Sequence, residues 1–139
     1  MAFMTYEGLK DSGTFRLDAT TKSKIKANPN QIIGKVVTFV ANSANDGNPV
    51  VGYGTADAII AGVVTHIDTE ETASEEFVVT VNRNSTFDNV PADTTTAPVE
   101  GQGVTCNGKG GVQKATDASN AVFLAFDQSG KTSGLIWVL

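Results

Sequence analysis

One cysteine and one histidine in 139 residues leave little material for metal or redox chemistry. Cys106 alone cannot close an intrachain disulfide, so folding does not depend on an oxidising compartment. No metal-ligand spacing and no nucleophile–base pair can be assembled around Cys106 or His66, so no cofactor or metal is expected and catalysis is not the expected role. Long apolar runs are also missing. No stretch approaches the roughly 18 apolar residues of a membrane-spanning helix, and residues 1–9 lack the charged and apolar regions of a signal peptide. The expectation is a soluble protein made in the cytoplasm, with no membrane partner. A pI near 4.7 argues against general nucleic-acid binding, which needs a basic face and stacking aromatics. Lys22, Lys24 and Lys26 form too short a run to reverse that.

Turn residues and β-branched runs are abundant instead. Fourteen glycines and clusters of Thr, Asn and Asp mark many tight turns. Residues 34–41 (GKVVTFVA) read as a strand, 42–49 (NSANDGNP) as a loop, 50–53 as a short strand, and 57–68 (DAIIAGVVTHID) as a longer one that Gly62 bends. Residues 77–82 (FVVTVN) alternate as a half-buried strand and pair with the preceding run as a long-tipped hairpin. Residues 84–98 read as a surface excursion anchored by Phe87 and Val90. Residues 103–107 and 112–115 flank a Gly-rich turn, and 120–126 and 134–139 close the body. About eight short strands separated by such turns predict an all-β fold, a small barrel or sandwich of mainly antiparallel strands. Residues 20–33 have room for one short helical turn, weakened by Pro29.

Charge divides the chain near Gly34. Residues 1–35 carry six Lys or Arg against three acids, a net of +3, and the remainder carries four against twelve, a net of −8. The predicted organisation is an extended N-terminal arm over residues 1–33 and a body over residues 34–139. A basic arm on an acidic body suits docking to an acidic surface, including another copy of itself. Phe3, Met4, Tyr6 and Leu9 are apolar residues in that arm and need a pocket on the body or on a partner.

Other candidate motifs have plainer readings. Glu70, Glu71, Glu75 and Glu76 lack the spacing of a calcium loop and read as a solvated hairpin tip. Residues 108–111 lack the ending of a phosphate loop and read as a turn. Phe123, Phe126 and Trp137 are expected in the core, and the apolar end of the chain is expected to be buried, in the body or between subunits.

The order of GKVVTFV at 34–40, IIAGVVTHI at 59–67, FVVTVNR at 77–83, EGQGVTCNGKGGV at 100–112 and the closing GLIWVL resembles small capsid decoration (cement) proteins of tailed phages. The resemblance spans about 105 residues from Gly34 and rests on strand patterns common to many β-barrels. It implies a non-catalytic virion protein on the outer surface of the expanded head, commonly a homotrimer, whose partner is the major capsid protein. Such a protein clamps neighbouring capsid subunits through many weak contacts repeated by symmetry. The implied capsid-binding residues are Phe3, Tyr6, Lys10, Phe15 and Arg16. The implied subunit interface includes Trp137 and Leu139. Two other readings compete: another phage structural β domain of the tail tube or baseplate, and a carbohydrate-binding β module using Tyr53, Trp137 and residues 84–98.

Overall fold

The computed structural model describes residues 11–42, 47–69 and 76–139. Among these, ten strands follow one another: β1 (Ser12–Leu17), β2 (Val36–Val40), β3 (Val50–Gly52), β4 (Gly62–Asp68), β5 (Val78–Asn82), β6 (Ser85–Pro91), β7 (Gly103–Cys106), β8 (Val112–Lys114), β9 (Ala121–Phe126) and β10 (Ser133–Val138). Helix α1 (Ala19–Ile25) and a 3-10 turn at Pro29–Ile32 lie between β1 and β2. The first five strands close into a barrel in the order β1-β3-β2-β4-β5, and the last five form an open sheet in the order β6-β10-β9-β7-β8. Every pairing is antiparallel except β1 with β3. The all-β expectation therefore holds, as a barrel joined to a sheet.

The expected arm changes most. From Ser12 onward it belongs to the body: β1 pairs with β5 from Ser12↔Asn82 to Arg16↔Val78 and with β3 at Arg16↔Val50 and Leu17↔Val51. The reason is a period of two. Phe15 and Leu17 point inward and are buried, while Thr14 and Arg16 point outward, as a half-buried strand requires. Helix α1 runs longer than the single turn expected. The Asp18 carboxylate accepts the Thr21 N–H at 3.0 Å as an N-cap, and Thr21 and Ile25 are buried.

Two apolar clusters fill the molecule. One lies inside the barrel, built from Phe15, Leu17, Val37, Val51, Val64, Val79 and Val81, with Ile25 and Ile32 packed over it. The other lies between barrel and sheet, where Val36, Ile60 and Val63 meet Val104, Phe123, Ile136 and Val138. Backbone bonds stitch the same junction. The Cys106 amide donates to Ala58 and the Asp57 amide donates to Cys106, beside a bridge between Ala56 and Asn107.

Residues 84–98 are not a simple surface excursion, because Ser85–Pro91 is the edge strand β6, hydrogen-bonded along β10. Phe87 and Val90 do anchor it to the core. The strand expected over 57–68 begins only at Gly62, and its irregularity falls between Val64 and His66. The Gly-rich turn stands as expected: Gly108 and Gly110 adopt φ of 80° and 90°, and the Asn107 side chain accepts from the amides of Lys109 and Gly111.

Candidate interaction surface

Strand alternation in β6, β9 and β10 separates two faces of the second sheet. Phe123, Ile136 and Val138 point into the core and are fully buried. Trp137, between the last two, points the other way and is 45% exposed. It stands across from Val122 on β9 and from Thr86 on β6. Leu135 stands across from Ala125, and Leu124 is the extra residue where the β9–β10 register shifts. Leu124 is 39% exposed and Leu139 is 57% exposed. The outer face of the sheet is thus an apolar strip about an exposed tryptophan, on a backbone fixed by pairing on both sides of β10.

An acidic rim borders this strip. Asp88 lies two residues along β6 from Thr86. The Asn89 amide donates both to Asp88 Oδ1 at 2.8 Å and to Asp127 Oδ2 at 2.9 Å, bringing the two carboxyls together. The hydrogen bond shared with Asp88 holds the Asp127 carboxyl above the usual carboxylate range, with desolvation and the Asp88 charge acting in the same direction. Glu100 accepts the Phe126 amide at 3.1 Å beside them.

Of the residues expected to bind a partner or form a subunit seam, Phe15, Arg16, Trp137 and Leu139 are described. Phe3, Tyr6 and Lys10 lie outside the described residues, as do Glu70, Glu71 and Glu75. Phe15 is 6% exposed and meets the Phe39 ring edge-on at 5.2 Å between centroids, so it packs the barrel and is not offered to a partner. Arg16 is only partly buried, and its guanidinium pairs with Glu76 at 2.9 Å across the barrel wall. Trp137 and Leu139 are both outward and close in sequence on the same strand end. Trp137 is therefore not the core residue expected, and of the apolar chain end Ile136 and Val138 are buried while Trp137 and Leu139 are exposed, whereas Phe123 is buried as expected and Phe126 partly so. Ile136, Trp137 and Val138 are all apolar, so no alternation of hydropathy in the sequence separates the outward residue from its inward neighbours.

Cys106 and Asp57 serve the fold. Burial pushes the Cys106 thiol up to about 12, which keeps it protonated and unreactive. His66 is exposed on β4 opposite Thr80. Asp57, at φ 69°, accepts the Thr116 amide and the Thr105 hydroxyl, and these bonds, the amide first, hold its carboxyl below the usual range. No protein-family model and no curated protein matches this chain. The functional reading therefore rests on the surface itself.

Proposed function

We propose that this chain is a structural virion protein that binds the outside of a phage head and stabilises the capsid lattice by bridging neighbouring major capsid subunits. It acts by assembly rather than by catalysis, and its working form is a homotrimer with Trp137 and Leu139 in the subunit seam. The observation that carries the reading is the outward apolar strip of Leu124, Leu135, Trp137 and Leu139 on a sheet whose strand β10 is paired on both sides. Left in water, such a strip costs free energy, at about 25 cal/mol per Å2 of apolar surface, that association recovers. A rigid β scaffold pays little conformational entropy on docking, and repetition by symmetry multiplies a weak contact into firm attachment.

The test is co-sedimentation of the purified protein with mature, expanded heads that lack it. Saturation at a fixed copy number per head, with heads then surviving heating longer, is the expected result. A folded protein that leaves the heads bare at micromolar concentration overturns the proposal.

A further inference from the structure

Lysines from three elements lie about Tyr53 and the Gly110 turn packed on it. Tyr53 is buried at the end of β3, where its amide donates to the Thr21 hydroxyl of α1 at 3.0 Å. The Lys24 ammonium, from α1, stands 5.9 Å from the Tyr53 ring centre. The backbone of Gly110, in the β7–β8 turn, lies against the same ring: a β-carbon there would sit 2.9 Å from Tyr53 Cε1 and 3.2 Å from Lys35 Cβ. Gly110 also accepts the Val36 amide at 2.8 Å, which fixes the turn to the start of β2. Lys109 is exposed beside it, and the Lys35 ammonium donates to the Gln31 carbonyl at 2.8 Å. Lys24, Lys35 and Lys109 have no carboxylate partner among the described residues. Ile33, 46% exposed, adds an apolar side chain two residues before Lys35.

A chain of net charge −5 thus gathers cationic side chains about α1, the start of β2 and the β7–β8 turn, and a carboxyl pair, Asp88 and Asp127, on the rim of its exposed sheet face. Neither group has an opposite-charge partner among the described residues, and each has the other's complement. We propose that the Lys24–Lys35–Lys109 cluster of one copy docks on the Asp88–Asp127 rim of the next, which sets Trp137 and its neighbours inside a head-to-tail interface. Two different patches meeting in this way are a heterologous contact, the kind that closes into a ring such as a trimer. The lysines and carboxylates form the polar rim that steers and registers the contact, and the apolar strip with Ile33 forms its centre. The inference rests on the oligomeric part of the proposed function and is independent of head binding.

Charge exchange tests it with the full chain. Mass in solution by light scattering, across protein concentration and from about 0.05 to 0.5 M salt, is compared for four chains whose thermal unfolding is also recorded. The unaltered chain is expected to associate and to loosen with salt. Lys24→Glu, Lys35→Glu and Lys109→Glu together are expected to weaken association by about tenfold or more while the chain stays folded. Asp88→Lys with Asp127→Lys is expected to do the same, and the chain carrying all five changes is expected to regain association. A single-copy mass for the unaltered chain at every concentration overturns the inference, even if heads still bind it. So does a folded triple-lysine variant that associates normally, whether or not it loses head binding, and so does a folded five-fold variant that remains a single copy.

Discussion

Asp127 shows how one residue's surroundings set a measurable property. Two carboxyls share the Asn89 amide, and the bond with Asp88 raises the proton affinity of Asp127 in the folded chain. A carboxyl whose folded pKa lies above its unfolded value of about 3.9 favours folding at acid pH, and that contribution is lost as pH rises through the folded value. At neutral pH the pair is therefore a cost. Asp127→Asn keeps an acceptor for the Asn89 amide, supplies a donor to Asp88 and removes one charge. Its urea midpoint is expected to exceed that of the unaltered chain at pH 7, measured dilute enough to hold single copies, and the gain is expected to vanish near pH 3. An equal or lower midpoint at pH 7 removes the like-charge account. Nothing in the sequence near Asp127 announces this pair, because Asp88 is 39 positions away and reaches it only through the β6–β10–β9 pairing.

Strands β9 and β10 form an element whose fit depends on one missing side chain. A β-carbon on Gly134 would run into the Phe123 ring and would stand 2.6 Å from the Ala125 carbonyl oxygen. Phe123 is fully buried and stacks edge-on with Phe126 at 4.7 Å, so its ring has nowhere to retreat. Gly134→Ala is expected to destabilise the fold by about 1–3 kcal/mol through overpacking, read from urea unfolding. Unfolding indistinguishable from the unaltered chain shows that the strands can slide apart at no cost. The strands themselves were legible as apolar runs bounded by turn residues, and β7, β8, β9 and β10 fall where those runs lie. Two elements were hidden. β6 reads as a loop because Ser85, Asp88 and Asn89 are turn-forming residues that the edge position tolerates. β1 reads as an arm because its neighbours are basic, although Phe15 and Leu17 already alternate.

For the whole molecule, exposure of Trp137 divides two outcomes that the sequence merges. A core tryptophan replaced by aspartate prevents folding, whereas Trp137 projects from the outer sheet face opposite Val122 and Thr86. Trp137→Asp is therefore expected to keep the free energy of unfolding within about 1 kcal/mol of that of the unaltered chain while abolishing association between copies and binding to heads. Normal association by a folded variant takes the strip out of the interface. Loss of folding means that Trp137 contributes to the core from its edge. The same scale explains why the sequence placed the contact residues in an arm. Charge counted along the chain puts the basic excess before Gly34, but the barrel absorbs Phe15 and pairs Arg16 with Glu76. Lys24, Lys35 and Lys109, which have no carboxylate partner among the described residues, come from α1, the start of β2 and the β7–β8 turn.

The sequence by itself determined the class of fold: β-branched alternation, frequent turn residues, one cysteine and no long apolar run leave an all-β body without disulfides. These are local properties, decided by side-chain period and backbone preference within a few residues. Tertiary structure alone decided which strands close the barrel, which face of β10 meets solvent, and where the charges gather. Those outcomes depend on contacts between residues tens of positions apart: Tyr53 with Lys24, Gly110 with Tyr53 and Lys35, and Asp88 with Asp127. Chain closure, rather than composition, brings such groups within reach of one another.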